Sequence, residues 1–317
     1  MRRRALLAGG LALAAAPARA QDSFAGFVVG LRAEARRAGI RESTLDAAFA
    51  GIRPNQAVID RDRKQAEFTM TWERYRSFTM SDKRIARGKE AYAANRPLFR
   101  RVSERYGVAP GVIAGIWGLE SNFGTDTGTY NVVEALATLA WEGRRAAFFR
   151  AQLVAALKIL DHGDVAPARM MGSYAGAMGQ PQFMPDSYLR YAVDMDGTGR
   201  RDIWDSRADV LGSIANYLSA SGWRGDEPWG QPIRLPADFA QTTGRDVRHS
   251  LRDWQAAGVR RADGTGFTRP DPMGAVVQPD GPGGAAFMVY GNFAAIRRYN
   301  PSDFYALAVG QLGDQVT

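Results

Sequence analysis

The chain contains no cysteine among its 317 residues. That excludes disulfides, thiolate nucleophiles, zinc–thiolate sites, iron–sulfur clusters and a lipid-bearing N-terminal cysteine. Histidine is almost as scarce: His162 and His249 are the only two, too few for a multi-histidine metal site. Beyond the first twenty residues no apolar run reaches the length of a membrane-spanning helix. The 35 Gly and 15 Pro are spread without a repeat, which excludes collagen-like and low-complexity classes. With 45% hydrophobic and 23% charged residues, the chain is neither disordered nor fibrous. Carboxylates, hydroxyls, amides and aromatics are left for catalysis, a set that favours sugar chemistry over redox or thiol chemistry.

Residues 1–20 read MRRRALLAGGLALAAAPARA: three arginines, an apolar run from Ala5, then a small-x-small site at Ala18-Arg19-Ala20. This is the pattern of a secretory signal peptide, so the mature chain is expected to be exported to the periplasm without a membrane anchor. Cleavage removes four of the 41 basic residues, leaving 37 against 33 acidic ones and a net charge of +4 instead of +8. Such a charge suits an anionic polymer but is too small and scattered to indicate nucleic acid.

Helical periodicity marks Ser23 to about Ala38, a short helix from Ser43 to near Gly51, and a polar tract from Asp82 to Tyr106 closed by Gly107. Helices follow over Pro110–Ser121, Val132–Trp141, Arg144–Leu160 and Asp205–Ala220. Gly172–Pro185 reads as a structured loop. After Glu227 the composition turns to Pro, Gly and Asp, with strand-like runs at Gly274–Val277 and Ala285–Tyr290 and a closing helix over Ser302–Gly310. The expected class is α+β, mostly α. Its division is a helical region over 21–105, a core over 106–225, and a small β region with the closing helix over 226–317.

The segment Val112–Gly124 reads VIAGIWGLESNFG. Ile113, Ile116, Trp117 and Glu120 fall on one helix face, so a carboxylate projects from a side that is otherwise apolar. Burial disfavours its charged form; a lift from about 4.3 to about 6 costs on the order of 2 kcal/mol. Such a group is an acid near neutral pH and a base once it has released its proton. On spacing alone, a glutamate that pairs with an arginine or reaches solvent past Asn122 and Gly124 is the commoner case. Trp117, Trp141, Trp204 and Trp223 read as core, and Asp126 and Glu134 as surface or capping residues.

Glu120-Ser121-Asn122-Phe123-Gly124 resembles the glutamate–serine/threonine–x–aromatic–glycine signature of lytic transglycosylases. Gly172–Tyr188 resembles their second hallmark. Asn216-Tyr217-Leu218 before Gly222-Trp223, and Arg298-Tyr299-Asn300-Pro301-Ser302 before Tyr305-Ala306, complete the pattern of the B-type lytic murein transglycosylases over Phe24–Gln315. The resemblance implies a lysozyme-like helical core over 106–225 and cleavage of the β-1,4 bond between MurNAc and GlcNAc in peptidoglycan glycan strands without water. Glu120 would protonate the leaving oxygen and then take the proton of the muramyl C6 hydroxyl as a 1,6-anhydro ring closes, so one carboxylate suffices where hydrolases use a pair. Ser173 and Gln182 would contact substrate, as would Asn300 and the groove aromatics Tyr75, Tyr217, Tyr299 and Tyr305, whose rings stack on sugar faces. The competing readings are a hydrolytic muramidase on the same acid and a non-catalytic peptidoglycan-binding protein. Proteins of a cell-wall machine are candidate partners, and no cofactor is required.

Asp194 to Asp205 also follows the register of an EF-hand loop: Asp194, Asp196, Thr198 and Asp202 at positions one, three, five and nine, Gly199 at six, the carbonyl of Arg200 at seven and Asp205 at twelve. Position twelve is not the usual long glutamate, and Asp209 one turn later can substitute. Some B-type enzymes hold calcium here, so a structural calcium ion is the reading to set against a plain β-hairpin with Asp-Gly and Thr-Gly turns.

Overall fold

A computed structural model describes residues 23–64, 70–225, 227–269 and 271–317. The expected signal segment lies outside them. Thirteen helices are described: α1 (Phe24–Arg37), α2 (Glu42–Phe49), α3 (Gln56–Arg63), α4 (Trp72–Thr79), α5 (Asp82–Tyr106), α6 (Pro110–Ser121), α7 (Val132–Glu142), α8 (Ala146–His162), α9 (Pro185–Tyr191), α10 (Arg207–Ala220), α11 (Leu251–Ala256), α12 (Gly291–Tyr299) and α13 (Asp303–Val316). The strands are β1 (Tyr130–Asn131), β2 (Met171–Gly172), β3 (Gly230–Arg234), β4 (Arg248–Ser250), β5 (Arg260–Arg261), β6 (Met273–Val277) and β7 (Ala286–Val289). The class is α+β and mostly helical. Among the described residues no helix is long and apolar enough to cross a membrane.

Local chemistry sets the helix ends that matter most. Ser81 caps α5 by accepting from the Arg84 N–H, and Gly107, at φ +68°, closes it in the left-handed region. Pro110 then opens α6 at a position whose missing N–H costs nothing. Every residue of α6 from Val112 to Gly118 is buried. The face of Ile113, Ile116 and Trp117 is buried as expected, and the rest of the helix over these residues is enclosed with it. Glycine makes this packing feasible. A Cβ on Gly115 would run into the carbonyl of Val309, and one on Gly111 or Gly313 would press on the other's backbone. The two helices run antiparallel at close range, and the last turn of α6 meets the first turn of α13.

Helices α5, α6, α10 and α13 build one core around Phe99, Ile116, Trp117, Ile214 and Leu307. The antiparallel sheet β4-β6-β7-β3-β5 closes it from one side. Ala275 stands opposite Val289 and Val277 opposite Phe287, and these four residues join the helical core. Val276, Ala286 and Met288, on the other face, pack with Leu251 and Trp254 of α11. A sheet covered on both faces explains the uninterrupted apolar runs of β6 and β7. A second core joins α1, α2, α7 and α8 through Leu31, Leu45, Leu136 and Leu157. Tyr299, at the end of α12, packs against both helical cores. Of the four tryptophans expected inside, Trp117 is fully buried, whereas Trp141, Trp204 and Trp223 keep partial exposure; Trp204 and Trp223 lie at the margins of the two helical cores.

Candidate active site

The chain leaves α6 through three successive left-handed residues, Asn122 (φ +49°), Phe123 (φ +61°) and Gly124 (φ +83°). Two of them carry side chains, so the turn must be held by its surroundings. Ser121 holds it: its hydroxyl donates to the Trp117 carbonyl at 3.2 Å and accepts from the Gly124 N–H at 3.1 Å. The Phe123 ring is buried edge-on to Trp117 at 5.5 Å between centroids, in space that Cβ atoms on Gly88 and Gly118 would fill. Gly124 is hemmed in by Gln180 and Arg207. Each constant letter of the Glu-Ser-x-Phe-Gly pattern thus has a mechanical reason, and together they fix Glu120 at the final turn of α6.

The second hallmark is bolted to the first. Gln180, 4% exposed, accepts from Trp117 Nε1 at 2.8 Å and donates to the Trp204 carbonyl at 2.7 Å. Arg207 donates to the same Gln180 oxygen while its guanidinium lies 4.8 Å over the Trp117 ring. Met178 and Phe183 are buried and exchange backbone bonds at 2.8 and 3.2 Å. Gly176 and Gly179 do form a tight packed turn, against Leu136 and the Ile203 carbonyl. At the end of that turn Gln182 sits at φ +52°. Its Nε2 donates to the carbonyls of Gly179 and Thr127 at 2.8 and 3.1 Å, leaving its carbonyl oxygen as the group it can offer. The Ser173 hydroxyl accepts from the Ala177 N–H at 3.0 Å.

A cleft of about 390 Å³ is lined by Glu120, Ser173 and Gln182 together with Arg61, Asp126, Tyr130 and neighbours. Size alone does not select it, since a larger open hollow of about 730 Å³ runs along α5 past exposed Arg96, Arg100 and Glu104. Chemistry selects it. Glu120 keeps partial exposure through the cleft, yet burial of its carboxyl pushes the pKa up to about 7. The opposing influence is a single hydrogen bond of 2.6 Å donated by the Tyr305 hydroxyl. Tyr305 stands on the first turn of α13, where the glycine-mediated contact with α6 delivers it.

The remaining expected residues divide. Burial and the nearby Glu120 raise the hydroxyl pKa of Tyr75 to about 12 and that of Tyr299 well above its ordinary value, so both rings share the acid's surroundings. The hydroxyl of Tyr299 donates to the Pro181 carbonyl at 2.7 Å, tying α12 to the second hallmark. Tyr217 packs 4.6 Å from Tyr299 and donates to the Arg298 carbonyl. Asn300 caps α12 and turns its carbonyl oxygen to the Ser302 N–H at 3.1 Å; it is not part of the cleft lining around Glu120. Glu134 is met by the Asn131 cap and by Asn55 Nδ2 at 2.7 Å, while Asp126 is exposed at the cleft. Arg61 was not singled out in the sequence. It lies in the charge run Asp60–Arg63 on α3.

In the acidic loop, Asp194, Asp196 and Asp209 bring carboxylate oxygens within 4.8 Å of one another. Asp194 accepts from the N–H groups of Gly197, Thr198 and Gly199, and Gly199 makes the turn at φ +84°. Asp209 is buried and accepts from Met195 and Asp202 at 2.7 Å. Asp205 does not join them: it is paired with Arg169. Residues 194–205 contain no strand, so the hairpin alternative is corrected.

The sequence model of the transglycosylase SLT domain matches residues 23–314. The chain belongs to that family. It is 35% identical over 257 residues to membrane-bound lytic murein transglycosylase B of Escherichia coli, covering 77% of this chain and 67% of that protein. The crystal structure of SltB3 from Pseudomonas aeruginosa in complex with NAG-anhNAM-pentapeptide superposes with a TM-score of 0.90 at 45% identity, over 93% of this chain and 80% of that one. The Escherichia coli lytic transglycosylase Slt35 in complex with calcium gives 0.77 at 29% identity, over 93% of both chains. The protein is a lytic transglycosylase of peptidoglycan, and its fold is the lysozyme-like fold of these enzymes.

Proposed function

We propose that Glu120 is the only acid–base group of a non-hydrolytic cleavage between MurNAc and GlcNAc. The observation that carries this is a carboxyl held near pKa 7 at the wall of a cleft by burial, with a tyrosine hydroxyl as its hydrogen-bond partner. Protonated Glu120 gives its proton to the glycosidic oxygen as the C1–O4 bond breaks. The carboxylate left behind takes the proton of the muramyl C6 hydroxyl as that oxygen bonds to C1. No water is consumed, the 1,6-anhydro ring closes, and the carboxyl returns to its starting state. Asp126 also lines the cleft but is exposed to solvent. Ser173 and Gln182 flank the acid as substrate contacts, and Tyr75, Tyr217, Tyr299 and Asn300 extend the binding surface. In this reading residues 21–105 and 226–317 brace the 106–225 core, and the chain acts in the periplasm after removal of residues 1–20. Mass spectrometry of digested sacculi tests the chemistry. Anhydro-muropeptides are expected; products heavier by one water would assign a muramidase instead.

We propose further that Asp194, Asp196 and Asp209 hold a structural calcium ion. Three hard carboxylate donors converge there, and the fully buried Asp209, whose pKa burial raises, gains a counter-charge from a divalent cation. None of the three aspartates lines the cleft around Glu120, so the ion stabilises and does not react. Titrating calcium into EDTA-stripped protein should release or absorb heat and raise the melting temperature. Neither effect at millimolar calcium would remove the ion from the account.

A further inference from the structure

The cleft contains a positive charge that the acid–base chemistry does not use. Arg61 lines it together with Glu120, Asp126 and Tyr130, and its guanidinium carbon stands 5.8 Å from the centre of the Tyr130 ring. Its neighbours on α3 are all committed elsewhere. Asp60 accepts from Gln56 at 2.9 Å, Asp62 is clamped by Arg144 and Arg145, and Arg63 bonds Glu142 at 2.9 Å. The helix is also pinned to α7, because Asn55 donates its backbone N–H to Thr138 and its side-chain amide to Glu134. Arg61 is thereby presented at the cleft by a fixed support. Among the described residues no carboxylate stands within ion-pair distance of it. Nor is it spent on the acid: the pKa of Glu120 is set by burial and the Tyr305 hydroxyl alone.

We propose that Arg61 binds a carboxylate carried by the 3-O substituent of the muramyl residue. This rests on the peptidoglycan-cleaving reading of the same cleft. Each muramyl residue carries a lactyl ether, extended in the intact polymer by a peptide with free carboxylates, whereas the GlcNAc residues are uncharged. A planar guanidinium with its fork of donors suits a carboxylate. Stacking against Tyr130 limits the orientations the side chain must give up on binding. The exposed Asp126 on the same cleft repels an anion that strays from Arg61, which narrows where the substituent can lie.

The test compares the wild type with Arg61→Gln on three glycan preparations: strands with intact stem peptides, the same strands with their carboxylates amidated, and strands stripped of peptide so that the lactyl carboxylate is bare. On intact strands Arg61→Gln should raise KM about tenfold with kcat retained, and Arg61→Lys should recover part of the loss. On amidated strands the wild type and the variant should have equal KM. A defect that persists on stripped strands, where the lactyl carboxyl is freed from its amide, shows that Arg61 reaches the lactyl position itself; one that vanishes there places the bound carboxylate further out on the stem peptide. Equal KM values on intact strands, or the same defect on intact and amidated strands, would overturn the proposal. Unchanged melting of both variants excludes misfolding. Wild-type protein inert on all three preparations would instead overturn the reading of the cleft itself.

Discussion

Two carboxylates on neighbouring parts of the molecule are taken out of water, and they are put to opposite uses. Asp62 on α3 is 1% exposed and receives two guanidinium groups, Arg144 through Nε at 2.8 Å and Arg145 through Nη2 at 2.8 Å. Glu120 on α6 receives one neutral hydroxyl at 2.6 Å. Two cations make Asp62 a fastener between α3 and the turn before α8. Without a cation, burial outweighs the tyrosine bond and leaves Glu120 a weak acid near pKa 7. Whether a buried carboxylate braces the fold or reacts is decided by the charge of its partners rather than by its depth.

The strongest way to break that comparison is to remove the titrating oxygen. Glu120→Gln should lower kcat on sacculi by about a thousandfold, measured as release of soluble muropeptides, because the amide can neither give nor take the proton. Wild-type turnover in that variant would end Glu120's role as the acid.

The same variant should be more stable than the wild type, but only above a certain pH. The folded-state pKa of Glu120, about 7, lies above the ordinary 4.5. The folded protein therefore binds the extra proton between these values, and the wild type loses stability as pH rises from about 4.5 to about 7. Glu120→Gln escapes that loss. Its advantage in urea unfolding should be near zero at pH 4 and about 3 kcal/mol above pH 7. A constant difference across pH would mean that the carboxyl is not desolvated.

Asp62→Asn tests the other arm. It should cost about 2 kcal/mol in urea unfolding, on the low side for breaking a buried pair because the two arginine side chains are half exposed and regain water. The kcat of the folded variant should be retained, since Asp62 does not face the reacting bond.

Much of this could be read in the sequence where local chemistry is strong. Gly107 and Pro110 mark the break between α5 and α6, and the apolar runs of β6 and β7 announce strands because both faces are covered. Helices α3 and α4 escaped notice: QAVIDRDR and WERYRSFT are eight residues each, charged at many positions, and held by tertiary bonds such as Asn55 to Thr138. Strands β4 and β5 are three and two residues long, too short to show alternation. At the site, Glu120 drew notice as a carboxylate in an apolar helix, but spacing left its role open, and the resemblance of Glu120–Gly124 to the transglycosylase signature is what pointed to an acid. Arg61 was not legible, because a charged run says nothing about which member faces a cleft. The metal loop shows the same limit: position twelve of the register pointed to Asp205, but Arg169 draws that side chain away and the buried Asp209 stands in the cluster. Tyr305 was expected among the aromatics that stack on sugar. Its hydroxyl instead reaches the acid, a contact that depends on the close crossing of α6 and α13 and leaves no trace in residue spacing.

That contact yields the smallest and most discriminating effect. Tyr305→Phe keeps the ring, which is 5% exposed, and deletes the one bond that lowers the Glu120 pKa. With only burial left, the pKa should climb further above 7, so the protonated fraction at neutral pH increases and the alkaline limb of kcat/KM moves up by about one pH unit. At the plateau kcat should fall about tenfold, because the carboxylate loses the group that orients it for taking up the C6 proton. The two changes have opposite signs at high pH, which separates them from general damage to the fold: a loosened site would lose rate at every pH without moving the limb. A limb that stayed in place, or moved toward acid, would mean that the tyrosine bond is not what opposes burial at the Glu120 carboxyl.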